Sequence, residues 1–256
     1  MATNSSLSSS FEIISSLRFD PGLPEAACRY ASSYPEHPNS PYYLLGYHQA
    51  RLRAAANHFQ WDGALNWLKQ DLQSFEKFID ASISDRSKAW RLRIVVNSEG
   101  EARVEANPTP SIDIMSLFIP PLQTNQSSPI WRVYIDTQPT TPSGFTTHKT
   151  TARDEYNSAR LRAGILSPSE PAEVLVVNSG GEIMEGSITT PYFLRDNVWF
   201  TPPLSSGGNA GTTRRYALSQ GFCQEQTIFR DQLVDGELCW LSNGVRGFMR
   251  GQIVAK

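Results

Sequence analysis

The sequence predicts a mixed α/β (α+β) protein of two domains, the second of them largely β. Three observations carry this. Trp90 to Val96 alternates, with Leu92, Ile94 and Val96 on one face and Arg91, Arg93 and Val95 on the other, the two-residue period of a strand. Leu65, Leu68, Leu72, Phe75 and Ile79 recur at intervals of three and four, the period of an amphipathic helix. Thr137 to Phe145 is rich in Pro, Thr, Ser and Gly, and it separates a half of mixed helix and strand patterns from a half dominated by strands. The expected division is a flexible tail at 1–10, an N-terminal α/β domain at 11–136, a linker at 137–145 and a C-terminal domain at 146–256.

Taken in order, Phe11 to Leu17 is apolar and tolerant of extended backbone, the first strand. Residues 20–41 hold Pro21, Gly22, Pro24, Pro35, Pro38 and Pro41 and read as a loop. Tyr42 to Leu45 is a short strand. Gly46 to Phe59 is rich in the helix formers Ala and Arg, with Leu52, Ala55, Ala56 and Phe59 on one face. Asp62 can cap a second helix that continues to Ile79. After the strand at 90–96, Asn97-Ser98-Glu99-Gly100 turns the chain into a partner near Arg103 to Ala106. Ile112 to Ile119 and Ile130 to Ile135 are further strands. Past Lys149 a helix runs to about Ala163, with Gly164 as its stop. Glu173 to Asn178 is a strand closing in Ser179-Gly180-Gly181, and Ile183, Ile188 to Leu194 and Val198 to Thr201 form a meander. Pro202 to Gly211 is a loop, after which Thr212 or Thr213 caps a helix to about Gln220. A strand near Gln224 to Ile228, a short helix after Asp231, and strands at Leu238 to Ser242 and Phe248 to Val254 complete the chain.

Composition excludes several classes. The 256 residues are 39% hydrophobic and 19% charged, enough apolar material for a sizeable core. The formal net charge of -2 offers no basic field for nucleic acid or an anionic membrane. No apolar run approaches the roughly 20 residues of a membrane helix, and Met1 to Ser10 lacks the basic-then-apolar pattern of a signal peptide. Cys28, Cys223 and Cys239 are odd in number and widely spaced, which argues for reduced thiols and a cytoplasmic location. His37, His48, His58 and His148 lack metal-ligand spacing, so no metal is expected.

Several stretches can carry chemistry. Lysine is scarce, and Lys149 in His148-Lys149-Thr150-Thr151-Ala152-Arg153-Asp154-Glu155-Tyr156 sits where a Gly-containing loop gives way to a helix. By position alone such a lysine is a solvated surface charge. Thr201 to Arg214 brings glycines, then Thr212 and Thr213, to a helix start. Read alone it is either a mobile surface loop or a cradle of amides and hydroxyls for a phosphate or carboxylate. It matches neither a Walker loop nor a GxGxxG fingerprint. Glu185, before Gly186-Ser187, is either an exposed turn acid or a buried carboxylate. Arg51 lies in the first long helix. Arg91 and Arg93 share a strand face that must meet water, an acid or an anionic ligand.

Together these stretches resemble the class-IV aminotransferases of pyridoxal-phosphate (PLP) fold type IV, and within them the aminodeoxychorismate lyase branch. The markers run in family order: His48, Arg51, Leu52 and Ala55; the arginine strand from Arg93 to Gly100; His-Lys-Thr-Thr-x-Arg at 148–153; Gly-Glu-x-x-Glu-Gly-Ser-Ile-Thr at 181–189; Thr-Pro-Pro-Leu-Ser-x-Gly at 201–207; Gly-x-x-Arg at 211–214; and Asn-x-Val-Arg-Gly at 243–247. The resemblance implies a smaller N-terminal α/β sandwich and a larger C-terminal, largely β domain with the site in the cleft between. It implies PLP as cofactor, with Lys149 as covalent anchor and catalytic base. Glu185 would face the pyridine nitrogen. Arg51, Ser187, Thr212 and Thr213 would hold the cofactor, and Arg153 or Tyr156 would meet its phenolic oxygen. Arg93 and Asn243 would contact a small-molecule amine substrate, and the chain would form a homodimer. The implied reaction is conversion of 4-amino-4-deoxychorismate to 4-aminobenzoate and pyruvate; the alternative is transamination of branched-chain or D-amino acids or amines. Thr190, Gly244 and Asn209-Ala210 depart from the family's usual Asn, small hydroxyl residue and Leu-Pro.

Overall fold

The structure, a computed structural model, describes residues 11–30, 34–121, 129–167 and 169–255. The expected tail at 1–10 lies outside them. The first sheet contains β1 (Ile13–Phe19), β2 (Trp90–Val96) and β3 (Ala102–Pro108), antiparallel in the order β1-β2-β3. The strand predicted at 90–96 is found with those bounds, because its apolar face has a helical layer to cover it. That layer is α2 (Leu45–His58), α3 (Asp62–Leu68) and α4 (Leu72–Asp80), whose Leu52, Ala56, Leu68, Phe75 and Ile79 pack on Leu17, Leu92 and Ile94.

The second sheet has eight strands in the order β6-β5-β4-β11-β10-β7-β8-β9. They are β4 (Trp131–Pro139), β5 (Ala172–Val177), β6 (Ile183–Gly186), β7 (Thr190–Arg195), β8 (Val198–Thr201), β9 (Cys223–Glu225), β10 (Leu238–Asn243) and β11 (Gly247–Val254). Pairs β4–β5, β4–β11 and β8–β9 are parallel and the others antiparallel. Val133, Leu175, Phe193, Leu241 and Ile253 form its core. No helix among the described residues is long and apolar enough to cross a membrane.

Several local expectations are corrected. The 20–41 stretch contains α1 (Leu23–Tyr30), since Pro24 falls in the first turn, where a missing amide hydrogen does no harm. Tyr42 makes only an isolated bridge to Phe19, and Leu45 already belongs to α2. The single helix expected from Asp62 to Ile79 is two, because the Asp71 carboxylate accepts the Ser74 amide at 2.7 Å and starts a new helix. The strand expected at 112–119 is instead a short 3₁₀ turn at Ile114–Leu117, started by Asp113 accepting from Met115. β4 runs on to Pro139 and pairs in the second sheet, so the sheets divide upstream of Thr137 to Phe145. That loop contributes instead α5 (Gly144–Thr147), one turn capped by Ser143. α6 (Asp154–Arg162) starts five residues beyond Lys149 and ends before Gly164, while α7 (Thr212–Ser219) starts after Gly211 with no side-chain cap.

Gly247, the last residue of the Asn-x-Val-Arg-Gly stretch, opens β11 with φ 67°, and a Cβ there would lie 2.0 Å from the Ser116 carbonyl oxygen. Gly247→Ala combines a left-handed backbone with a collision against main chain. It is expected to cost about 2–4 kcal/mol of stability, read from the shift of a urea denaturation midpoint.

Candidate active site

The two sheets meet at β1. The Ile14 amide donates to the Lys149 carbonyl and the Thr151 amide to the Glu12 carbonyl, each at 2.9 Å. These bonds hold 149–151 extended beside β1 and explain why Lys149 does not begin a helix; Thr150 and Thr151 are β-branched and suit that backbone. One face of β1 lies under α2; the other, with Ile14 and Ser16, forms part of a cavity of about 440 Å³. Arg51, Arg93, Lys149, Arg153, Tyr156, Glu185, Ser187, Thr212, Thr213 and Asn243, each singled out in the sequence, all line it. Glu185 is the one carboxylate among its lining residues, against Arg51, Arg91, Arg93, Lys149, Arg153 and Arg246. A protein of net charge -2 has therefore gathered a strongly cationic interior.

Burial, then Arg153 and Arg51, push the Lys149 amine well below the usual lysine range, while Glu185 opposes them. The amine therefore gives up its proton more readily than an exposed lysine, and the unprotonated amine is the nucleophilic and basic form. In the same cavity burial raises the Glu185 carboxyl to about 7, against the lowering influence of Tyr156, Lys149 and Arg153. The Tyr156 hydroxyl, on the first turn of α6, donates to Glu185 Oε1, and the Arg153 guanidinium lies 4.6 Å from the centre of the Tyr156 ring. Tyr156 is thereby turned to the acid.

At another wall, α7 presents its first-turn amides at Thr212 and Thr213, which no side-chain cap answers. Arg51 reaches the same cavity from α2; burial lowers it to about 10, still a cation at physiological pH. Beside these donors lies buried His48, whose Nδ1 is 2.7 Å from Ser15 Oγ and whose Nε2 is 3.4 Å from Thr212 Oγ1.

Two of the lining residues are held by neighbours in the wall. Ser187 lines the wall, but its hydroxyl donates to Glu173 Oε1 at 2.5 Å, its amide to the Val174 carbonyl, and its carbonyl accepts from Arg153. These bonds make it a latch within the wall. Asn243 Oδ1 accepts the amides of Val245 and Arg246 at 3.0 and 2.9 Å, so that side-chain oxygen shapes the β10–β11 turn. Glu173, absent from the expected site, is fully buried and accepts from Ser187, Thr189 and the Ile188 amide. A lone acid in the apolar run Ala172 to Val177 was its signal. No group of three or more His, Cys, Asp or Glu among the described residues could hold a metal ion.

At the end formed by β2 and the β10–β11 turn, Arg93 donates to Glu105 at 2.7 Å. The guanidinium of Arg91 beside it has no hydrogen bond or ion pair among the described residues, and Arg246 places its guanidinium 5.4 Å from the centre of the Trp131 ring.

The family model for amino-transferase class IV matches residues 33–253. The aminodeoxychorismate lyase of Saccharomyces cerevisiae is 30% identical over 84% of this chain and 68% of its own length. A putative aminodeoxychorismate lyase of Schizosaccharomyces pombe is 27% identical over 83% of this chain and 84% of its own. Among solved structures, a putative amino-acid aminotransferase from Mesorhizobium loti superposes with a TM-score of 0.72 at 24% identity, over 95% of this chain and 100% of that one. A putative 4-amino-4-deoxychorismate lyase from Haemophilus somnus gives 0.57 at 18%, over 93% and 97%. The PLP-bound form of a hypothetical Mycobacterium tuberculosis aminotransferase gives 0.62 at 17%, over 94% and 80%. The chain belongs to the class-IV aminotransferase family, an enzyme family of mixed α/β fold of PLP fold type IV.

Proposed function

We propose that the protein is a PLP-dependent lyase that converts 4-amino-4-deoxychorismate to 4-aminobenzoate and pyruvate. The cofactor fits the residues present. A lysine of lowered basicity, a buried acid lining the same cavity, a buried arginine and unanswered helix amides are the groups that an aldehyde, a ring nitrogen and a phosphate require. Lys149 would hold the aldehyde carbon, Glu185 the ring nitrogen, and Arg51, Thr212 and Thr213 the phosphate. When bound, PLP supplies an electron sink for the carbon that carries the substrate amine.

The chain's own residues do the rest. Lys149, released and uncharged once the substrate amine replaces it, would take the proton from the ring carbon bearing that amine. The bond from the neighbouring ring carbon to the enolpyruvyl oxygen then breaks. The proton held by Lys149 returns to the methylene carbon of the departing enolate, which becomes pyruvate, and the remaining ring is aromatic. No other reactant is consumed.

The observation that carries the lyase reading is the arginine-lined end of the cavity. The Arg91 guanidinium makes no hydrogen bond or salt bridge among the described residues, and Arg93 and Arg246 line the same cavity. The substrate has two carboxylates, one on the ring and one on the enolpyruvyl group, and an anion of that kind offsets cations in a half-buried site. The named relatives in two yeasts support the same substrate. Transamination of branched-chain or D-amino acids or amines is the second reading, because the same lysine and acid serve it and the Mesorhizobium loti structure is named a putative amino-acid aminotransferase.

Purified protein given 4-amino-4-deoxychorismate is expected to release pyruvate and 4-aminobenzoate in equal amounts, with no keto acid added. A strict requirement for an amino acceptor would select the transaminase. Protein that neither binds PLP nor responds to it would overturn both.

A further inference from the structure

Behind the phosphate-facing threonines lies a chain of buried hydrogen bonds that decides which way their hydroxyls point. Arg51 Nη2 donates to Ser15 Oγ at 2.5 Å and Nε at 3.2 Å, and Nη2 also lies 3.4 Å from His48 Nδ1. A guanidinium has hydrogens to give and no lone pair to offer. Ser15 Oγ therefore accepts from Arg51, and its single hydrogen is directed to His48 Nδ1 at 2.7 Å. Nδ1 is an acceptor on both counts and carries no hydrogen.

The ring itself is uncharged. It is fully buried, and the nearby cations Arg51 and Lys149 add to the cost of a proton. A neutral imidazole without hydrogen on Nδ1 has it on Nε2. That N–H faces Thr212 Oγ1 at 3.4 Å. A hydroxyl that accepts from behind keeps its own hydrogen for the other side, and Thr212 lines the cavity there. With the opposite tautomer Nε2 would be the acceptor. Thr212 would then donate backward and offer only lone pairs to an anion.

Two further features fit. Thr213 is served in the same sense, since Ser242 Oγ donates to Thr213 Oγ1 at 2.8 Å with the Tyr192 hydroxyl 2.8 Å behind Ser242. Position 244 is open for the imidazole edge, because a Cβ on Gly244 would lie 2.6 Å from His48 Cε1 and 2.8 Å from Nε2. The glycine that departs from the usual hydroxyl residue thus gives the ring its seat.

We infer that His48, uncharged with its hydrogen on Nε2, is a positioning residue that orients the Thr212 hydroxyl to donate to the phosphate of PLP. This rests on the cofactor reading above. His48 does not touch the cofactor; it fixes a donor that does, and the threonine hydroxyl then adds to the first-turn amides and Arg51.

Two measurements test it. Long-range proton–nitrogen NMR spectra of ¹⁵N-labelled full-length protein stripped of cofactor, with the His48 signals identified by their loss in His48→Gln, should show hydrogen on Nε2. Hydrogen on Nδ1, or a doubly protonated ring, overturns the inference. The second is affinity for PLP relative to pyridoxal, which lacks the phosphate. His48→Phe, which fills the space and donates nothing, should reduce that preference about 10- to 100-fold, the worth of a hydrogen bond to a charged group, while leaving pyridoxal binding as in wild type. His48→Gln, with an amide hydrogen at the same reach, should restore most of it, and Thr212→Val should reproduce the loss in a folded background. An unchanged preference in His48→Phe or Thr212→Val refutes the role. If wild type takes up neither compound, the cofactor reading fails, and the NMR result still decides the hydrogen-bond chain.

Discussion

Lys149→Ala is expected to abolish covalent capture of PLP and to lower turnover at least about 10³-fold. The amine has two duties, anchor and proton carrier, and general acid–base catalysis alone is worth about 10²–10⁴. The check is borohydride reduction followed by peptide mapping. Wild type should carry one reduced pyridoxyl group, on Lys149, and the variant none. Lys149→Arg should behave like the alanine, since a guanidinium neither forms the link nor gives up its proton. Capture of the cofactor at Lys69, Lys77 or Lys88 in wild type would refute the assignment.

Glu185→Gln separates capture from turnover. Removing this carboxylate deletes the one influence that raises the Lys149 amine, so the lysine stays in its uncharged form and capture should persist. Turnover should fall about 10²–10³-fold, the effect of losing one preorganised electrostatic partner of the reacting centre. The same variant has a pH signature in cofactor-free protein. The Glu185 carboxyl is raised from 4.5 to about 7 in the folded chain. Such a group favours the fold fully below its unfolded value and loses that contribution as pH rises through about 7. Wild type should therefore lose melting temperature relative to Glu185→Gln across that interval. Parallel melting curves at all pH values would show that Glu185 does not titrate there.

What the sequence determined by itself was local pattern and the order of motifs. The strand at 90–96 was legible because its period of two is set by neighbouring residues, and the long helix at 45–58 by its runs of Ala, Leu and Arg. The ordered stretches from His48 to Gly247 identified the family, and with it Lys149, Glu185 and the helix start at Thr212. Turn-scale choices were less legible, because one side chain can redirect a pattern. Asp71 breaks a continuous apolar period into two helices, and Asp113 turns an apparent strand into a 3₁₀ turn. Only the tertiary structure decided the chemistry of the site. Ser187 occupies a binding motif, yet its polar groups face Glu173, Val174 and Arg153. Lys149 owes its depressed basicity to burial and to Arg51 and Arg153, and Glu185 owes its raised value to burial beside them. His48 owes its hydrogen placement to Ser15, thirty-three residues away in the chain. Proton affinity and hydrogen-bond direction are properties of surroundings assembled from distant segments, and no periodicity along one segment encodes them.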